Sequence, residues 1–462
     1  MNEIKFDKYQ LKAIKCDKNT LLIAGAGAGK TTTIVGKIHY LLENGYKEEE
    51  ILCISFTNAS VNDLRKKLNN NIDVFTFHKL SINILNEYDN SYKLCDSNLL
   101  DKIINMYIVK LFESKKKKKK FLKYVPNISN FIKLTSRFIN LFKANNYDEE
   151  KFRRIFIKIN KIRNKQKRLY NLMNLINIIN IYKLYKNELN SCNELDFNDL
   201  IIEATKVVKN TTFTDKYKYI IIDEFQDTSL VRLNLILEIY KKNNCKIFCV
   251  GDDFQSIYQF TGCDLQIFLN FKKYFKNSTI KKLKMTYRNP QELINVAGSF
   301  VIKNKNQIRK VLVSNKSIKK PFKIVYLRNN GLLKLINHLD NYMILGRNNK
   351  DIYKYFNDNE ILENNIIYST IHRSKGLEAD NIVIINLTNG YDSIPSKIKN
   401  DYLIDLLLNN HNDVYYEERR LFYVALTRTK NNVYLIIDKY NNSEFINELI
   451  KDYKKYIEII KY

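Results

Sequence analysis

Tyr219-Ile220-Ile221-Ile222-Asp223-Glu224-Phe225-Gln226-Asp227-Thr228-Ser229 is an apolar run that stops at two adjacent carboxylates and stays polar afterwards. Such a run reads as a strand buried on both faces of a parallel sheet, with Asp223 and Glu224 delivered to its C-terminal edge. Open α/β sheets bind ligands at that edge, so the pair stands where a magnesium nucleotide is held: one carboxylate for the ion, the other to polarise an attacking water. Taken alone, the stretch reads equally well as a strand ending in solvated acids. The choice is made far upstream, where Ala24-Gly25-Ala26-Gly27-Ala28-Gly29-Lys30-Thr31 supplies the other half of a site.

That second stretch follows an apolar strand from Thr20 and opens a threonine-rich helix, Lys30-Thr31-Thr32-Thr33. The arrangement is a P-loop: small residues let successive backbone N–H groups face phosphate oxygens, Lys30 reaches the terminal phosphates, and the Thr31 hydroxyl ligates Mg²⁺ at the helix N-terminus. A flexible Gly/Ala loop is the plainer alternative, and Ala24 stands where the general pattern has Gly. Just before the strand, residues 6–14 have the spacing of a short amphipathic helix, on which Gln10 by itself is a surface glutamine.

The chain has 462 residues, 45% of them hydrophobic, with only 12 Gly and 4 Pro. It can bury real cores and divides into about two to four units at ~100–200 residues each. Lys plus Arg number 77 against 49 for Asp plus Glu, a formal charge of +28. That balance holds a chain to a polyanion, although A+T-rich coding would also raise Lys, Asn, Ile and Tyr together. The seven cysteines form no Cys-x-x-Cys pair and the five histidines do not cluster, which fits reduced thiols, no zinc site and an intracellular setting, cytoplasm or nucleus. No apolar core long enough for a signal peptide opens the chain, and no segment approaches ~18 uninterrupted apolar residues, so secretion and membrane spanning are not expected.

In chain order, a second buried strand at 51–57 leads into Asn58 and a helix through Leu68, and a third is expected at 72–78. Phe56, Asn58, Thr76 and His78 at their ends are an inventory for contacting phosphates and stacking bases, or for ordinary strand-end packing. From 85 to 195 the chain loses Gly and repeats Leu/Ile/Phe at helical spacing, the pattern of an inserted helical domain. It carries a lysine run at 115–120, which is a basic contact or simply a solvated stretch. After the central strand, 246–250 ends in Gly251-Asp252-Asp253-Phe254-Gln255-Ser256-Ile257-Tyr258-Gln259-Phe260. Gln255 can sense a terminal phosphate there, and Tyr258 and Phe260 can stack on bases. Leu283-Lys284-Met285-Thr286-Tyr287-Arg288-Asn289 closes this unit. A second set of strands is expected at 323–327, 342–345, 366–370, 382–387 and 433–437, with a helix near 350–357. Among them lie His372-Arg373-Ser374-Lys375-Gly376-Leu377-Glu378 and Glu418-Arg419-Arg420-Leu421-Phe422-Tyr423-Val424-Ala425-Leu426-Thr427-Arg428. Arginines that can close over a P-loop from elsewhere neutralise charge in phosphoryl transfer. The chain therefore reads as two α/β lobes sharing one nucleotide.

Together, and in order almost end to end, these segments resemble the motifs of the UvrD/Rep family of superfamily 1 DNA helicases. The resemblance implies two RecA-like P-loop lobes with an inserted all-helical domain: 1–84 with 196–285 as the first lobe, 85–195 as the insertion, and 286–462 as the second. It implies an ATP-dependent motor that moves along single-stranded DNA, typically 3′→5′, and unwinds partly duplex DNA with Mg²⁺. By the same resemblance Gln10 reads the adenine edge, Tyr287 stacks on the ring and Glu378 holds the ribose. Residues 24–32 (Ala24, Gly25, Ala26, Gly27, Ala28, Gly29, Lys30, Thr31, Thr32) cradle the phosphates, and Thr31 and Asp223 hold Mg²⁺. Glu224 orients the water, Gln255 senses the γ-phosphate, and Arg288 and Arg428 act as fingers. Strand contacts fall to Phe56, Asn58, Thr76, His78, Tyr258, Phe260 and His372.

Some positions depart from the family pattern. Phe260 stands where many relatives carry Trp, and Thr261 replaces a usual Arg. Arg288 and His372 are separated by little more than one set of second-lobe elements, so the accessory domain that relatives carry there is expected to be absent or vestigial. After Arg428 too few residues remain for an appended nuclease. Two other readings stay open: a motor on RNA, and a nucleic-acid-binding protein with a non-catalytic P-loop. Against the latter, Lys30, Thr31, Asp223, Glu224, Gln255, Arg288 and Arg428 are all in place.

Overall fold

The computed structural model describes residues 5–68, 71–89, 91–328, 331–408 and 415–461. The chain is of the α/β class, with two parallel sheets of six strands each. The first is built from β1 (Asn19–Ile23), β2 (Ile51–Ser55), β3 (Asp73–Thr76), β4 (Tyr219–Ile222), β5 (Lys246–Gly251) and β6 (Ser278–Lys282). Their order across the sheet is β3-β2-β4-β5-β1-β6. The apolar run quoted first is its centre: Ile220 and Ile222 of β4 pack in one core with Leu80, Leu200 and Ile236, while Tyr219 and Ile221 pack in the opposite one with Ile38 and Leu64. Helices cover both faces, which is why the run shows no polar alternation.

Several first-lobe strands differ from expectation, β2 stopping at Ser55 and not at 57. The strand expected at 72–78 stops at Thr76, and Phe77 and His78 begin a helix, Phe77–Tyr88. Thr76 ends the strand because its hydroxyl accepts from the N–H of Lys79 (3.2 Å) and caps that helix. β6 escapes a reading by apolar run because it lies at the sheet edge and is mostly polar.

Between β3 and β4 lies a helical region whose longest members are Leu99–Phe112, Ile128–Ala144, Glu149–Asn160 and Lys165–Cys192. Its core stacks Phe142 on Phe152 at 4.3 Å with ring planes 11° apart. The lysine run opens a further helix, Lys115–Tyr124, with all six lysines exposed and Phe121 buried beneath them. Buried Lys143 bridges Asp196 and Asp199, reaching the latter at 2.6 Å, and so fastens helix Ile128–Ala144 to the chain's return to the first sheet. Leu403, Ile404, Leu406 and Leu407, from a segment between two strands of the second sheet, complete this helical core.

The second sheet comprises β7 (Phe322–Tyr326), β8 (Tyr342–Gly346), β9 (Tyr368–Thr370), β10 (Ala379–Ile384), β11 (Thr429–Ile437) and β12 (Ile457–Lys461), in the order β9-β8-β10-β11-β7-β12. β9 starts later than the expected 366. β10 lies earlier than 382–387, because its pairing with β11 begins at Ala379 opposite Thr429. The helix expected near 350–357 is a 3₁₀ turn, Asn349–Lys354, followed by helix Asp358–Glu363. Edge strand β12 is added by the structure; it reads Ile-Glu-Ile-Ile-Lys with only its first residue buried. The described residues between Arg288 and His372 supply the helix Gln291–Val301, β7, β8, β9 and the helices that cover them.

Candidate functional site

The loop from β1 to the helix Lys30–Glu43 turns through Gly27 at φ +67° and Gly29 at φ +75°. A side chain at Gly27 is excluded twice over, since a Cβ there would lie 2.5 Å from the Cβ of Arg288. The loop is pinned to the strand end that carries Arg288: the Tyr287 N–H donates to Gly27 O (2.9 Å) and the Thr286 hydroxyl to Ala26 O (2.9 Å). Residues 24–32 and 286–288, distant in sequence, thus form one rim. Gln10 is buried, not at the surface; its Oε1 accepts from the N–H of Asp7 (2.9 Å) and its Nε2 faces Gly29. Tyr287 is exposed beside the same glycine and donates its hydroxyl to Asp7 (2.8 Å). Gln10 and Tyr287 are therefore neighbours at one end of the loop, with Tyr287 59% exposed.

Lys30 Nζ lies 2.6 Å from Glu224 Oε1. Glu224 sits at φ +50°, a conformation that costs a non-glycine residue energy and is found where a site over-determines it. Burial opposes its charge, but Lys30 and Lys375 beside it prevail and hold its carboxyl well below the usual range. Gln226 Nε2 adds a donor at 2.5 Å. Asp223 behaves oppositely: burial and the neighbouring Glu224 push it up to about 6. A buried carboxylate that is reluctant to ionise gains from a cation, and carboxylate and hydroxyl oxygens are the donors that Mg²⁺ takes.

Gln255 joins the two lobes. Its Nε2 donates to Asp252 Oδ2 (2.7 Å) and its Oε1 accepts from Arg428 Nη2 (2.9 Å). Arg428 is only 2% exposed, and burial together with Arg288 brings its guanidinium down to about 9. Arg288 donates to Glu378 Oε2 (2.8 Å) and to Thr427 O (3.3 Å), and Glu378 also pairs with Lys430 (3.3 Å). The structure so gathers Arg288, Glu378 and Arg428 on the second-lobe side of the loop.

Phe56, Tyr258, Phe260 and His372 form one cluster. Phe56 stacks on Tyr258 at 5.6 Å and 14°, His372 lies 5.5 Å from Phe260, and the Tyr258 hydroxyl donates to His372 O (3.0 Å). Tyr258 is thus half core, whereas Phe260 is 44% exposed. Burial brings both His372 and His78 down to about 4. They are neutral near pH 7, so they can stack and hydrogen-bond but carry no charge to a phosphate. His78 packs on Phe197 at 4.9 Å, and Asn58 is an exposed residue at the start of helix Asn58–Leu68.

Three cations not singled out from sequence complete the picture. Lys375 is buried, bridges Asp227 and Glu224 (3.6 Å to the latter), and donates to Gln255 O (3.1 Å). Its place between His372 and Gly376, in a segment already marked for function, was the available signal. Lys310 is buried between Asp252 and Asp253, 2.6 Å from the second; in a lysine-rich chain nothing distinguished it. Arg232 lies over the Phe56 ring at 4.5 Å, and again its sequence position carried no signal.

A family model described as the UvrD/REP helicase N-terminal domain matches residues 6–276, and one described as the UvrD-like helicase C-terminal domain matches residues 198–440. The chain is 26% identical over 485 residues to DNA helicase IV of Escherichia coli, covering 96% of this chain and 69% of that protein. It is 27% identical over 474 residues to a probable DNA helicase of Mycoplasma pneumoniae, covering 93% and 83%. With the ATP-dependent DNA helicase Rep of Buchnera aphidicola it shares 27% over 329 residues, 67% of this chain and 46% of that one, so it spans less than half of that relative's length.

Proposed function

The chain belongs to the UvrD/REP helicase family, and from that premise we propose that it is an ATP-dependent DNA helicase, moving 3′→5′ along single-stranded DNA and opening duplex. The observation that carries the reading is Gln255, held at once by Asp252 of the first lobe and Arg428 of the second. A residue shared this way transmits the state of a phosphate site to the relative position of two lobes. Lys30 and the loop amides bind the phosphates, and Glu224, kept ionised by Lys30 and Lys375, orients the water. Arg288 and Arg428 neutralise charge from the other side. Thr31 and Asp223 would hold Mg²⁺, which would supply positive charge against that developing on the phosphates. Gln10 and Tyr287 take the base, and Glu378 the ribose.

The test is ATP hydrolysis with single-stranded DNA against RNA of equal length. Stimulation by DNA supports the reading; stimulation by RNA alone replaces it with an RNA motor, and none by either leaves a binding protein. Among the described residues no helix is long and apolar enough to cross a membrane, and we place the protein wherever DNA is, inside the cell.

For the strand path, Phe260→Ala is expected to weaken single-strand affinity by about 1–3 kcal/mol, the value of one base-stacking ring. Tyr258→Ala should lose as much and also lower the melting temperature, because its ring is stacked on Phe56. Unchanged strand affinity in both variants would assign these rings to the core.

We further propose that the lobes work without a second-lobe accessory domain, the helical region serving as the anchor. Neutralising the lysines at 115–120, all exposed on one short helix, should lower strand binding and flatten the slope of log affinity against log salt by about 0.7 for each phosphate that the variant no longer neutralises. An unaltered slope would mark the run as solvated charge. With protein limiting, single-turnover unwinding should proceed from a monomer, and a motor silent until a second copy is added would refute this.

A further inference from the structure

A cavity of about 990 Å³ runs between the helical region and the second lobe, with Phe260 and His372 on its wall. A second, of about 510 Å³, lies between the helical region and the turn Gln259–Thr261. The two share Phe260 and one charged residue, Arg137.

The position of Arg137 follows from helix geometry. Arg137, Leu141 and Ala144 are spaced i, i+4, i+7 on the helix Ile128–Ala144 and so share one face. The end of that face is seated on Gly262, where a Cβ would come within 2.5 Å of the Ala144 Cβ and 3.8 Å of Leu141 Cδ2. Gly262 itself is at φ +94°, so the close approach depends on its being glycine. With Ala144 and Leu141 anchored there, Arg137, two turns back, is held beside Phe260 and Thr261.

Four other charged groups on this wall are engaged. Glu417 accepts from the N–H of Gln259 (3.1 Å), Arg347 pairs with Glu418 (2.6 Å), and Arg420 donates to Ser256 O (2.5 Å). Thr261 turns its hydroxyl to Tyr258 O (2.8 Å) and brings no charge. Arg137, by contrast, has its Nε buried with no hydrogen-bond partner, the carboxylates of Glu417 and Asp405 lying near enough to favour its charge without bonding that nitrogen. An unpaired buried guanidinium donor is costly, and here it borders the exposed ring that the strand reading uses. A guanidinium matches a phosphate diester in shape and charge.

We propose that Arg137 is a strand-phosphate contact, a guanidinium supplied by the helical region to the backbone of the nucleotide stacked at Phe260. The proposal rests on the strand-binding reading above. It gives the helical region a direct part in holding the strand.

The experiment titrates a labelled oligothymidylate against salt with the full chain. Arg137→Gln is expected to lower affinity about tenfold, as befits loss of one charge-assisted hydrogen bond, and to reduce the salt slope by about 0.7. Thr261→Arg, added to Arg137→Gln, should restore both, since it returns a guanidinium to the same place from the opposite wall. An Arg137→Gln chain with unchanged affinity and slope overturns the proposal, as does one that melts lower while binding normally. A double variant no tighter than the single one overturns the shared location. Failure of the unsubstituted chain to bind the oligonucleotide would strike the strand-binding reading itself, and is recognised without any substitution.

Discussion

Glu224→Gln should reduce strand-stimulated ATP turnover by about 10³-fold, the middle of the range for loss of a general base, with little change in melting temperature. The carboxylate is ionised because Lys30 stands 2.6 Å away and Lys375 3.6 Å away, against the opposing effect of burial. Gln keeps the volume and still accepts from Lys30, but it can no longer draw a proton from water. The fold is insulated from the change because Lys375 keeps its partner Asp227 and the β4 core lies on the other side of the chain reversal. Lys30→Ala should be equally silent for a different reason: it removes the cation that reaches the terminal phosphates. Turnover near that of the unsubstituted chain, in either variant at saturating strand, would take the residue out of the chemistry.

Arg428→Ala is expected to lose on the order of 10³-fold or more in turnover, as removal of a finger does. Arg428 is buried and also donates to Val424 O (3.1 Å) and Leu377 O (3.4 Å), so Ala alone confounds chemistry with stability. Arg428→Lys separates them, since it keeps a charge but not the fork that reaches Gln255 and the backbone together. A lysine variant that melts normally yet turns over poorly assigns the residue to phosphate chemistry. One that turns over normally would make it a structural cation. Arg288→Ala, whose partners Glu378 and Thr427 O lie at the margin, should lose as much without the same cost in melting.

The sequence by itself determined what depends on contiguous residues: the phosphate loop at 24–32, whose glycines and lysine must be adjacent to work, and β4 with Asp223 and Glu224, whose apolar run admits no exposed face. It also determined the helical character of the region after residue 85 and the order of the motifs. Weakly apolar edge strands were invisible, because β6 and β12 need packing on one side only. A strand end decided by a cap, as at Thr76, falls two residues before the end of the run, because one hydroxyl hydrogen bond outweighs the local propensity of Phe77 and His78.

Tertiary structure alone decided which charges meet. Lys375, Lys310 and Arg232 are three cations among 77, and only folding places the first on Asp227 and Glu224, the second on Asp252 and Asp253, and the third over Phe56. It decided too that Gln10 is buried against the phosphate loop and that Leu403 and Leu407 fill the helical core from across the chain. The physical reason is common to all of these. A pairing between residues far apart in sequence leaves no local periodicity; it exists only once strand order and helix seating, such as Ala144 on Gly262, have brought the partners within reach.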